Sequence, residues 1–152
     1  SVKSIGDEAF MRCNSLKNII MRGGLTSIGN HAFTFCVSLV SITLPSCLRH
    51  IGDGAFWFCS SLESIVIPDS VTTLGGGAFS TCRSLKSITL PEGITRIACG
   101  TFVGCCSLAS ITIPANVKYV EDQAFQGCSS LNKDVKDEIA RRFGSAVFKI
   151  TD

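Results

Sequence analysis

Long hydrophobic runs are missing from this chain of 152 residues. The longest uninterrupted apolar stretch is five residues, Ala55 to Cys59. A membrane-spanning helix needs about 20 and the core of a secretory leader about 7 or more, so these residues hold neither and no membrane insertion is expected. Charge of one sign is also scarce. Fourteen basic against twelve acidic residues leave +2, too little for a nucleic-acid partner or an anionic membrane surface. Catalytic groupings are absent too. Gly75-Gly76-Gly77 lacks the Lys and Ser/Thr of a phosphate-binding loop, and the acidic residues scatter without forming pairs. No Cys or His outside the regular series described below has a second ligand at zinc-like spacing. No enzyme, cofactor or metal centre is expected. Disorder is excluded as well, because 45% of the residues are apolar.

What the chain has is a period. Phe stands at 10, 33, 56, 79, 102 and 125, in steps of 23. Cys at 13, 36, 59, 82, 105 and 128 keeps the same step, as do Ser from 15 to 130 and Leu from 16 to 131. Aliphatic columns run through Ile5, Ile28, Ile51, Leu74, Ile97 and Val120, and through Ile19, Ile42, Ile65, Ile88 and Ile111. Such self-similarity specifies a solenoid whose core forms only between stacked neighbours. In one unit, Leu62, Ile65 and Ile67 fit a short strand that Pro68 ends. Val71 and Leu74 begin a short return strand, Gly75 permits a tight turn, and Ala78, Phe79 and Cys82 have the spacing of one helical or 3₁₀ turn.

The pattern L-x-S-I-x-[IL]-P-x-x-[VIL]-x-x-[IL]-G-x-x-A-F-x-x-C-x-S over Val2 to Leu131 resembles the BspA-like leucine-rich repeats. The Asn-ladder position of commoner leucine-rich repeats holds Gly24, Cys47, Ser70, Gly93 and Asn116, and Pro45, Pro68, Pro91 and Pro114 are the alternative marker, interrupted by Arg22. The resemblance implies an α/β repeat solenoid, right-handed and curved, with a parallel concave sheet. It also implies a binding or adhesion role.

Residues 1–131 are expected to form about 5.5 repeats, N-terminally incomplete, and residues 132–152 a capping helix and tail. The chain starts inside a repeat at Ser1, which suggests a fragment of a longer repeat protein, with association through the uncapped end as the sharper alternative. At the other end Asn132 can cap a helix through Phe143 that Gly144 ends. Val135, Ile139 and Phe143 would share its inner face, Asp137–Arg141 and Glu138–Arg142 would pair on the outer face, and Val147, Phe148 and Ile150 would pack beneath.

The six periodic cysteines are read as buried free thiols acting as small hydrophobes, since in-register side chains miss the torsion a disulfide needs. Cys106 is the best candidate for an exposed thiol. Free thiols favour the cytoplasm, whereas the resemblance allows a cell surface. His31 and His50 fall in variable columns and are expected to face solvent.

Two surfaces are candidate partner sites. The outward strand positions, among them Ser41, Thr43, Ser64, Val66, Ser87, Thr89, Ser110 and Thr112, make a hydroxyl-rich and nearly uncharged concave face. Between Phe and Cys of each unit lie two residues expected to point outward. There Phe35 and Phe58 share a column about 5 Å apart, and with Trp57 they would form an apolar patch on the convex side. The expected function is a non-catalytic scaffold that binds a protein partner or further repeats, with surface adhesion or glycan binding as the alternative.

Overall fold

A computed structural model describes residues 1–150. It is a β-solenoid of short parallel strands followed by one C-terminal helix. Four units contribute a three-residue strand, and each unit contributes a two-residue return strand. The former are β2 (Asn18–Ile20), β4 (Ser41–Thr43), β7 (Ser87–Thr89) and β9 (Ser110–Thr112). The latter are β1 (Ser4–Ile5), β3 (Ser27–Ile28), β5 (His50–Ile51), β6 (Thr73–Leu74), β8 (Arg96–Ile97) and β10 (Tyr119–Val120). Every strand pairing is parallel and offset by 23 residues, such as Ile19 with Ile42 and Ile28 with Ile51. That register lays each sequence column along the stack.

The long-strand face is not one continuous sheet. β2 pairs with β4 and β7 with β9, while Ser64–Ile67 runs between the two pairs outside any ladder. This segment is tied to its neighbours only at its start, through Glu63 N–H to Val40 O and Lys86 N–H to Glu63 O, both 3.3 Å.

The path from Gly75 to Cys82 keeps the expected three-residue spacing without becoming a helix. Ala78, Ser80 and Cys82 each donate to the carbonyl three residues back. The intervening N–H groups of Gly77, Phe79 and Thr81 donate to Cys99, Thr101 and Val103 of the next unit. Left-handed residues separate successive turns and stop them merging: φ is +64° at Gly77 and +60° at Thr81, with equivalents in all six units. This turn face is therefore a ladder in its own right. The same geometry corrects the reading of the His31 column, which holds three glycines because its backbone is left-handed.

Along this ladder the six phenylalanines stack from Phe10 to Phe125, with centroids 5.1–5.8 Å apart and planes within 8° of parallel. Each such pair adds about 0.5–1.5 kcal/mol beyond its burial. The cysteine column lies beside it, buried except at its first member Cys13. These thiols do more than fill space. Cys36, Cys59, Cys82, Cys105 and Cys128 each donate to the carbonyl of the Phe one unit earlier, at 3.0–3.2 Å.

Gly75 acts through close approach, not by permitting a tight turn. A Cβ at the equivalent Gly29 or Gly52 would lie 2.6 Å from the side-chain oxygen of Asp7 or Asn30, and one at Gly75 closer still to Asp53. Those same oxygens accept the N–H of Asn30, Asp53 and Gly76 in the following unit at 2.7–2.9 Å. Glycine and Asx together draw consecutive return strands into contact.

The C-terminal cap is α1 (Lys133–Phe143). Ile139 is buried, and Val135 and Phe143 pack against the core. Arg142 fastens α1 to the last unit by donating to Ile113 O (2.9 Å) and Pro114 O (2.8 Å). Three details differ from expectation. Asn132 makes no side-chain cap, and its own N–H donates to Ala109 O to continue the strand column. Asp137 pairs with Lys133, 2.6 Å away, one turn back. Ile150 is 74% exposed, whereas Val147 is buried and Phe148 tops the ring stack, 6.1 Å from Phe125.

Candidate functional site

The aromatic residues between the Phe and Cys columns converge. Phe35 and Phe58 stack at 4.9 Å, and the Trp57 ring lies 5.6 Å from Phe35 and 6.1 Å from Phe58. The guanidinium of Arg12 sits over Phe35 at 5.2 Å and that of Arg83 over Phe58 at 5.8 Å, so the pair of rings is flanked by cations. The cluster is less open than the expected outward-facing patch. Phe35 and Phe58 are half-buried, and Trp57 is 37% exposed. Thr34, also expected to point outward, is buried because its Oγ1 donates to Gly54 O at 2.7 Å. His31 is half-buried too, with Nδ1 3.2 Å from Thr34 Oγ1 and its ring 6.2 Å from Trp57.

The cluster stands on unfavourable backbone. Phe35 has φ of +60° and Phe58 of +59°, at a column where Gly104 and Gly127 take the same conformation without a Cβ penalty. A residue with a Cβ held there costs of order 1–3 kcal/mol, a cost that Arg12 and Thr81 also bear in this column.

On the opposite side, Ser41, Thr43, Ser64, Val66, Ser87, Thr89, Ser110 and Thr112 are all exposed. Val66 is the most open large apolar side chain, at 81%. Because Ser64–Ile67 lies outside the ladders, shallow grooves flank it. One of about 290 Å³ lies against Thr43 and Pro68, and another of about 360 Å³ against Ser87 and Thr89. Lys86 and Glu63 form an exposed ion pair of 3.3 Å at this edge.

A third feature was not anticipated from the sequence. Return strands are joined at every step except that between β6 and β8. Gly29, Gly52 and Gly75 donate to Ile5, Ile28 and Ile51, and Glu121 donates to Ile97, yet no bond joins Ala98 to Leu74. Two departures from the repeat coincide there. Ala98 stands in place of the close-approach glycine and Gly76 in place of the Asx, although the following step pairs β8 with β10 with Glu121 and Cys99 at the same two positions. Cys99 N–H turns instead to Glu121 Oε2 at 2.8 Å. The gap between β6 and β8 is a cavity of about 210 Å³ lined by Thr73, Leu74, Thr95 and Arg96, and beside it lies a depression of about 580 Å³ lined by His31, Asp53, Trp57, Arg96, Cys99 and Glu121, with Arg96 ion-paired to Glu121.

Among the described residues no group of three His, Cys, Asp or Glu could hold a metal, and no helix is long and apolar enough to cross a membrane. Cys106 is exposed as expected, and so is Cys99.

A model of the BspA type leucine-rich repeat region matches residues 1–149 in six copies. The chain belongs to this family. Leucine-rich repeats of this kind are commonly protein-interaction or surface repeat modules. No curated protein sequence matches the chain. A leucine-rich repeat protein of T. pallidum is 32% identical with a TM-score of 0.71, covering 92% of this chain and 76% of that one. A leucine-rich cell surface protein of Faecalibacterium prausnitzii A2-165 is 36% identical with a TM-score of 0.74, over 86% of this chain and 42% of its own. The pneumococcal vaccine antigen PcpA shares the fold at 19% identity and a TM-score of 0.62.

Within this BspA-type array, the features that set one unit apart from the next are the flanked aromatic cluster and the break between β6 and β8. Arg12 shares the column of Phe35 and was legible as its neighbour. Arg83 lies two residues beyond that column, and only the structure brings it over Phe58.

Proposed function

We propose that this chain is a non-catalytic recognition module that binds a protein partner through Phe35, Trp57 and Phe58, with Arg12 and Arg83 at its margins. The observation that carries the reading is the convergence of the three rings, 4.9–6.1 Å apart and flanked by two guanidiniums. Clustered aromatic rings with arginines at their margins are the residue types that anchor protein contacts. The flanking guanidiniums favour a partner segment with an apolar anchor and nearby carboxylates. The exposed Ser and Thr positions of the long-strand face offer a second, weaker contact surface. Adhesion or glycan binding at a cell surface is the alternative, supported by 36% identity to a protein described as a cell surface protein.

The test is affinity capture from cell lysate and surface extract, comparing the natural chain with a Phe35→Gly/Phe58→Gly variant that keeps Trp57. A discrete protein held by the first and lost by the second supports the reading. Capture that persists in the variant overturns it.

A further inference from the structure

We propose that the partner segment held by the aromatic cluster carries carboxylates on one side of its apolar anchor and a lysine or arginine on the other, the basic residue entering the depression beside Trp57. This deepens the reading above and rests on it.

The surroundings of the cluster are electrically lopsided, and Trp57 stands where the sign changes. Its ring lies 5.6 Å from Phe35 and 6.2 Å from His31, and it also lines the depression of about 580 Å³. The two phenylalanines are edged by cations, with Arg12 5.2 Å from the Phe35 ring and Arg83 5.8 Å from that of Phe58. In the depression the balance reverses. Asp53 and Glu121 stand there against Arg96, two carboxylates to one guanidinium, which leaves one negative charge with His31 counted neutral.

That charge belongs to Asp53. Arg96 is ion-paired with Glu121, whose Oε2 also accepts Cys99 N–H at 2.8 Å, so both members of the pair are engaged. Asp53 is exposed, and among the described residues no basic side chain pairs with it. Its Oδ1 accepts Gly76 N–H at 2.8 Å, which holds the carboxylate in place and leaves Oδ2 for an incoming donor. A lysine or arginine entering here gains both that carboxylate and the neighbouring Trp57 ring. A carboxylate in the same place would face Asp53 as a like charge. The change of sign across the cluster therefore sets the direction in which the segment lies, because complementary charge fixes register and rejects the reverse arrangement.

The experiment selects phage-displayed random dodecapeptides on the natural chain, on Asp53→Asn, on Asp53→Asn/Glu121→Gln and on Phe35→Gly/Phe58→Gly. Asn at 53 keeps the oxygen that holds Gly76, as Asn30 does for Asp53 N–H one unit earlier. The single Asp53 variant thus makes the depression neutral and the double variant makes it positive, with these hydrogen bonds retained. The natural chain should enrich peptides with a basic residue at a fixed spacing from an apolar one. A synthetic peptide of that consensus, titrated by the fluorescence of Trp57, the only tryptophan of the chain, should bind about two- to fivefold more weakly to Asp53→Asn. The double variant should select an acidic residue at the same spacing. An apolar anchor recovered without a basic residue, or the same basic preference in the double variant, would overturn the charge assignment and leave the aromatic anchor standing. If no enriched family depends on Phe35 and Phe58, the aromatic anchor itself falls and this inference falls with it.

Discussion

Phe148 lies over Phe125 with ring centroids 6.1 Å apart, closing a stack that begins at Phe10. Its segment also takes over the hydrogen bonds of a further unit, since Phe125 N–H donates to Val147 O at 2.9 Å. The 3₁₀ turn Ala146–Phe148 thus occupies the place of a seventh turn face, and α1 replaces the strands that would precede it. Phe148→Ala should cost about 2 kcal/mol, below the full range for a buried Phe because the ring is half-exposed. Ile150→Ala should be close to neutral. Urea unfolding of the two variants checks the contrast.

The glycine column gives a sharper test. Gly52→Ala should destabilise by about 2 kcal/mol or more, because its Cβ would meet Asn30 at 2.6 Å where backbone cannot yield cheaply. Hydrogen exchange should show the loss concentrated in β3 and β5. Equal protection across the whole chain would mean that close approach is not what the glycine provides.

Thr81 is β-branched and has φ of +60°. Its N–H donates to Val103 O, and its Oγ1 meets only Ser80 Oγ, at 3.4 Å. Thr81→Gly relieves the left-handed strain and keeps the backbone bond, so it should stabilise by about 1 kcal/mol. A lower thermal midpoint would contradict the assignment of strain to this position.

Much of this architecture was legible because a column in the sequence becomes a line in space. The Phe, Leu, Ile and Cys columns located the core, and the 23-residue register followed from them. What the pattern concealed was chemistry that depends on the backbone. The glycines of 54, 77 and 100 marked left-handed turns, but Glu8, His31 and Gln123 share that conformation and made the column look merely permissive. The glycine column itself ends in the alignment, where Gly6, Gly29, Gly52 and Gly75 give way to Ala98 and Glu121. Period 23 also runs on to Phe148, hidden by the helix that interrupts it.

The cysteine ladder predicts an alkaline limit. Burial raises the thiols of Cys36, Cys59, Cys82 and Cys105 and pushes Cys128 up to about 12, whereas unfolded thiols ionise near about 8.5. The folded chain keeps protons that the unfolded chain releases. The stability due to these groups is therefore complete below the unfolded value and is lost as pH rises from there through the folded values. Each thiol contributes a slope of up to about 1.4 kcal/mol per pH unit. The slopes of the five thiols add, so unfolding stability in urea should fall steeply over roughly pH 9 to 11, and less steeply for Cys59→Ala/Cys82→Ala. Parallel slopes would count against the ladder as the cause.

The break between β6 and β8 also divides the array as a mechanical and folding unit. In a stack where each repeat is supported only by its neighbours, cooperativity passes through every interface in turn, and this one lacks the return-strand bonds of the rest. Load applied along the axis should concentrate there, with the four units before it and the two capped units after it parting as blocks. The Phe stack and the turn-face ladder, which cross the break unbroken from Phe79 to Phe102, would then serve as its hinge.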